Sequence, residues 1–137
     1  MLPALIRRFH EATEANAPSV TCWGTGSPLR EFLHVDDLGD ACVFVMEHWT
    51  PAPGELTYLN VGTGMDISIR ALAEIVARVI GFRGVIDWDS TKPDGTPKKQ
   101  LNVGKINSLG WHAKVRLKDG IAKTYEDYKR SNQIYRS

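Results

Sequence analysis

Long apolar runs are missing from this sequence. No stretch approaches the roughly 18 to 20 apolar residues that a membrane span needs, and the first residues form no secretory h-region. A cytoplasmic protein without a membrane partner is therefore expected. Cysteine is scarce: Cys22 and Cys42 stand alone in apolar surroundings, make no metal knuckle, and read as buried free thiols in a reducing compartment. An excess of one charge is also lacking. Lys and Arg number 17 against 16 Asp and Glu, a formal charge of +1, so there is no basic field to draw in nucleic acid. The four histidines, His10, His34, His48 and His112, fall on separate segments without metal-ligand spacing. No Gly-x-Ser-x-Gly elbow occurs. Tyr125 and Lys129 have Tyr-x-x-x-Lys spacing, but they lie in a polar last helix with no serine partner nearby, and the match is read as chance.

What is present suits one soluble domain: 137 residues, 42% hydrophobic and 24% charged. Leu5, Ile6, Phe9 and Ala12 mark one face of a first helix, with Pro3 tolerated in its first turn. So full a pattern at residue 2 reads as if the chain had been cut where a helix begins. Val20 to Trp23 is a short strand, Gly24 to Pro28 a turn, and Glu31 to Val35 a second strand. Asp36 is the expected N-cap of a helix whose stripe is Leu38, Ala41, Cys42, Val45, Met46 and Trp49, ended by Pro51, Pro53 and Gly54.

Tyr58 to Val61 is a further short strand. Ser68 caps a helix carrying Ile69, Leu72, Ala73, Val76, Val79 and Ile80, with Gly81 as its stop. Val85 to Trp88 is a strand and Asp89 to Lys99 a polar loop. A short helix ends at Gly110, and Leu117, Ile121, Thr124, Tyr125 and Tyr128 mark the last helix, with a tail beyond Arg130 that is expected to fray. The order belongs to the α/β class.

Two groups of residues suggest a ligand. In NVGTGMDIS a strand leads into Gly62-x-Gly64 and a helix, with Asp87 at about the spacing of a ribose-binding acid. Ile67 stands where a third glycine would be, so a structural turn feeding Ser68 is preferred to a dinucleotide loop. The second group is a set of cations in or beside loops. Arg8, Arg30 and Lys92 could converge on a diphosphate, because guanidinium forks match phosphate oxygens and lysine adds a point charge.

Taken together, PALIRRFHEA, WGTGSPLREFLHVDDL, NVGTG, SIRALAEIVA, KPDGTPKK and LGW resemble the C-terminal part of the GDP-L-fucose synthases. These are GDP-4-keto-6-deoxy-D-mannose epimerase-reductases of the extended short-chain dehydrogenase/reductase family. The resemblance implies the substrate-binding part of a Rossmann-type α/β enzyme. Residues 1–130 would form a GDP-sugar-binding domain and 131–137 a frayed tail, with the N-terminal NADP-binding Rossmann domain absent from this chain.

By the same resemblance, Arg8, Arg30 and Lys92 contact the diphosphate, while Val20, Cys22 and Trp23 lie along the nucleotide and sugar pocket. The family's NADP loop, its Ser and Tyr-x-x-x-Lys set, its reactive cysteine and its active-site histidine all precede the matching segment. Cys22 and His34 do not match those positions. NADP is thus the cofactor of the full-length enzyme, none is expected to bind this chain alone, and no catalytic residue is assigned. The expected partners are a GDP-sugar and either an N-terminal Rossmann domain or a second copy of the chain. A non-catalytic nucleotide-binding or interaction module that kept the fold is the alternative.

Overall fold

A computed structural model describes residues 1–55 and 57–136, with side chains as far as Ser131. The chain is a mixed α/β fold with helices α1 (Leu2–Glu14), α2 (Val35–His48), α3 (Ile69–Ile80), α4 (Gly104–Ser108) and α5 (Leu117–Arg136). The strands are β1 (Ser19–Trp23), β2 (Leu29–Glu31), β3 (Asp66–Ser68), β4 (Val85–Asp89) and β5 (Lys98–Lys99). β1 and β4 pair in parallel, Ser19 opposite Val85 and Trp23 opposite Asp89. β2 lies between β3, antiparallel to it, and β5, parallel to it.

The principal core is built by α1, β1, α3 and α5. Leu5, Ile6 and Phe9 project from α1 at the spacing of one helical face, and meet Leu72, Ala73 and Val76 of α3 and Ile121 of α5. Burying an aliphatic or aromatic side chain of this size contributes about 1.5–3 kcal/mol relative to leaving it in water. The α3 boundaries follow from local chemistry. The Ser68 hydroxyl accepts the Ala71 N–H at 3.1 Å, and Gly81 ends the helix at φ +88°, a backbone conformation costly for any side chain.

A second, smaller core holds Ala41, Val103, Ile106 and Trp111, with Leu33, Phe44, Val45 and Val61 against it. Two carboxylates of α2 tie the α4–α5 connection onto this core. Asp37, only 3% exposed, accepts the backbone N–H groups of Lys114 and Val115, the latter at 2.9 Å. Asp40 accepts the Trp111 indole N–H at 2.8 Å and the Lys114 ammonium at 3.1 Å. These two partners, the indole first, hold the Asp40 carboxyl below the usual carboxylate range.

Four sequence expectations are corrected. The strand placed at Glu31 to Val35 lies at Leu29–Glu31 instead, because that is where the backbone finds partners on both sides; Phe32 and Leu33 leave the ladder to fill the two cores. The cap of α2 is His34, whose Nδ1 accepts the Asp36 N–H at 3.2 Å, and Asp36 joins Asp37 in the first turn, where negative charge suits the helix dipole. Tyr58 to Val61 enters no ladder. Cys42 is exposed while Cys22 is buried.

Cys42 belongs to an outer face of α2 that the sequence alone does not distinguish from its inner one. Ala41, Phe44 and Val45 point to the smaller core, whereas Val35, Leu38, Cys42 and Met46, at offsets of three, seven and eleven, form an exposed stripe. α5 is helical to Arg136, past Arg130, where the sequence predicts fraying; Ser137 lies outside the described residues.

Candidate functional site

Alternation along β1 sorts its side chains. Val20 and Cys22 point into the principal core, and Thr21 and Trp23 face outward. Burial raises the Cys22 thiol pKa, with the nearby Arg8 guanidinium acting in the opposite direction. Trp23 ends the strand with 65% of its surface exposed.

Two cations flank that indole. The Arg8 guanidinium, on the solvent side of α1, lies 5.9 Å from the ring centroid, and the Lys92 ammonium is also 5.9 Å from it. Arg8 is steered by one donated hydrogen bond, Nη1 to the Thr21 carbonyl at 3.1 Å, which leaves other guanidinium donors available.

Lys92 is carried by the loop between β4 and β5, and Asp94 clasps this loop to the Gly24–Pro28 turn. Its Oδ1 accepts the Thr25 N–H at 2.9 Å and its Oδ2 accepts the Thr25 hydroxyl at 2.6 Å. These bonds, the hydroxyl first, hold the Asp94 carboxyl below its ordinary range. Gly24, at φ +80°, permits the approach: a Cβ there would collide with the Asp94 carboxylate. The Leu29 N–H donates to the Pro97 carbonyl at 2.8 Å, where β2 begins to pair with β5.

Arg30 meets the same loop on β2. Its Nη1 donates to the Leu29 carbonyl at 2.6 Å, and its Nη2 would lie 3.2 Å from a Cβ built on Gly95. The structure thus gathers Arg8, Trp23 and Lys92 directly and ties Arg30 to them through residues 92–95, while Val20 and Cys22 back the site from the core. Among the described residues, none of Arg8, Arg30 and Lys92 is in an ion pair, although eight lysine or arginine pairs with carboxylates occur elsewhere. An exposed aromatic ring with two unpaired cations 5.9 Å from its centroid can contact a flat ring of a ligand while the cations receive phosphate oxygens.

The glycine-rich run is built differently. Glu31 reaches into the Gly62–Gly64 loop, where its Oε1 accepts the Gly64 N–H at 2.7 Å and the Thr63 hydroxyl at 3.3 Å, while its Oε2 accepts the Leu101 N–H at 2.9 Å. A Cβ on Gly62 would strike that carboxylate. The loop serves the fold by enclosing an acid, in line with the structural-turn reading. No group of three or more His, Cys, Asp or Glu that could hold a metal occurs among the described residues, and no described helix is long and apolar enough to cross a membrane.

Glu31, Asp94 and Thr25 were not singled out by sequence reasoning. The Asp-Gly pair inside KPDGTP was a usable signal for Asp94, since such pairs mark turns whose carboxylate bonds backbone N–H groups. Glu31 had none.

Residues 1–62 match the NAD dependent epimerase/dehydratase family. The chain is similar to members of that family, the extended short-chain dehydrogenase/reductases. Within it, the chain is similar to GDP-L-fucose synthases. It is 56% identical over 93% of its length to the putative GDP-L-fucose synthase 2 of Arabidopsis thaliana, and 47% identical over 99% to the GDP-L-fucose synthase of Escherichia coli strain K12. Among solved structures it resembles a GDP-mannoheptose C4 reductase from Campylobacter jejuni with NADP bound, at TM-score 0.82 and 39% identity, over 93% of this chain and 44% of that one. The chain spans 38% and 44% of the length of the two synthases.

Proposed function

We propose that the chain is the GDP-sugar-binding portion of an NADPH-dependent epimerase-reductase that makes GDP-L-fucose from GDP-4-keto-6-deoxy-D-mannose, and that it is inactive alone. The observation that carries this reading is the juxtaposition of Arg8 and Lys92 on the exposed Trp23 ring, with Arg30 against the same loop and no acid paired to any of the three among the described residues. In this reading the arginine forks and the lysine bind the diphosphate, and Trp23 offers its face to a ring of the ligand. Val20 and Cys22 set the position of Trp23 from behind. The relatives reported above, named for GDP-sugars, support the same substrate class.

NADP belongs, in this proposal, to the full-length enzyme. The Gly62–Gly64 loop does not fit it here, because the Glu31 carboxylate already takes the Gly64 N–H and would repel phosphate. Hydride transfer and epimerisation are assigned to residues outside this chain, so NADPH oxidation with the keto-sugar by the purified 137-residue protein would sink the inactivity claim.

A second reading, an interaction module that keeps the fold without catalysis, draws on the uncovered outer face of α2. It would seat an N-terminal Rossmann domain of another chain, or a second copy. Calorimetric titration with GDP and GDP-mannose separates the two. Saturable binding weakened at least about tenfold by Arg30→Ala supports the first, since a charge-assisted bidentate contact is lost. Absence of binding by a folded sample supports the second.

A further inference from the structure

The turn that holds Asp94 is itself held from the other side by a residue with no role so far. Arg70, in the first turn of α3, donates from Nη2 to the Thr25 carbonyl at 2.6 Å, and its backbone N–H donates to the Gly26 carbonyl at 2.9 Å. Its guanidinium carbon lies 4.5 Å from the centroid of the Trp88 ring on β4, within cation–π range. The turn seats closely on this pair. A Cβ added at Gly26, where φ is +76°, would come within 2.6 Å of Trp88 and 3.0 Å of the Arg70 Cβ.

Thr25 is the hinge between the two contacts: its carbonyl is taken by Arg70, and its N–H and hydroxyl are both taken by Asp94. Residues 91–100 are all exposed, so the position of Lys92 and Gly95 depends on few bonds.

We propose that Arg70 is a positioning residue for the anion site. It fixes Thr25 so that the Asp94 clasp holds the 89–97 loop with Lys92 beside Trp23 and Gly95 against Arg30. Arg70 does not touch the ligand. It sets the fraction of molecules in which the loop is in place, and the apparent affinity scales with that fraction. The proposal rests on the GDP-binding reading above.

The test compares the wild-type chain with Arg70→Met, which keeps the alkyl stem and removes the fork, and Arg70→Lys, which keeps a cation able to reach one carbonyl. Arg78→Met, on an exposed position of the same helix, controls for loss of a positive charge. Amide hydrogen exchange at Thr25 and Leu29 is measured without ligand, and GDP affinity by calorimetry. Arg70→Met is expected to speed exchange at both amides and weaken GDP about fivefold, in proportion to the loss of ordered loop. Arg70→Lys should recover part of both, and Arg78→Met should change neither.

Unchanged exchange at Thr25 in Arg70→Met overturns the proposal. So does unchanged affinity in a protein whose wild type binds GDP, or an equal loss in Arg78→Met. Should the wild type take up no GDP, the functional reading fails by itself, and the exchange comparison still decides whether Arg70 holds the loop. If Arg70→Met does not fold, the Arg70→Lys comparison carries the decision by the same criteria.

Discussion

The Glu31 carboxylate lies inside the Gly62–Gly64 loop and accepts the Gly64 N–H at 2.7 Å, joining β2 to a loop more than thirty residues further along the chain. The same carboxylate takes the Leu101 N–H, so one side chain satisfies donors from two segments that enter no ladder. Glu31→Ala leaves both amides without their acceptor and is expected to destabilise the fold by about 2 kcal/mol, within the range for hydrogen bonds to charged groups. Glu31→Gln keeps one acceptor oxygen and should cost about 1 kcal/mol. Urea midpoints at constant slope measure both, and a Glu31→Ala midpoint equal to wild type would refute the role given to this acid.

The Asp94 clasp carries a pH dependence of defined sign. Its folded pKa is depressed by the Thr25 hydroxyl and N–H, so the stabilisation is complete above the unfolded carboxylate value of about 3.9. It is lost as pH falls through the lower folded value. Exchange at the Thr25 amide, corrected for intrinsic rates, is therefore expected to be slow at pH 5 to 7 and to rise in strong acid before the core unfolds. Asp94→Asn keeps an acceptor for the Thr25 N–H but cannot titrate, so the acid step should vanish in that variant. An identical acid step in Asp94→Asn would assign the transition to another group.

The contrast between α3 and α2 explains how far the sequence is readable. α3 is bounded by Ser68 and Gly81, whose effects act within one turn, and its apolar stripe has a single core to face. Both ends and the stripe follow from local chemistry. α2 has apolar residues around most of its circumference, and which of them are covered depends on Val103, Ile106 and Trp111, more than fifty residues later. The displacement of β2 has a similar origin, since its limits are set by β3 and β5 rather than by its own alternation. At the candidate site, the residue types were legible one by one, Arg8 as a cation of the first helix, Trp23 as the aromatic that ends a strand and Lys92 as a loop cation. The Asp94–Thr25–Arg70 chain that organises them joins three distant segments, and no periodicity reports it.

The two thiols should differ sharply in reactivity. Cys42 is exposed on α2, whereas Cys22 is buried with its thiol pKa raised by that burial, and the thiolate is the reactive form. Ellman's reagent at pH 8 is expected to modify one equivalent rapidly in native protein and the second only when denaturant opens the principal core. Cys42→Ser should abolish the fast phase. Two fast equivalents in the wild type would contradict the inward orientation of Cys22.

The outer face of α2 predicts association. Val35 and Met46 are 71% and 77% exposed, Cys42 lies between them, and a Cβ built on Gly39 meets nothing within 4 Å. Contiguous apolar surface of this kind is driven out of water by contact with another such surface. Sedimentation of the isolated chain should therefore show weight-average mass rising with concentration. Leu38→Lys with Met46→Lys places two charges in the stripe and should suppress the rise. Both positions are solvent-facing, so the thermal midpoint should stay near wild type, as for surface changes worth within about 0.5 kcal/mol each. A wild-type chain that stays monomeric across the accessible concentration range would show that this stripe is tolerated in water, and would remove the support that the interaction-module reading draws from it.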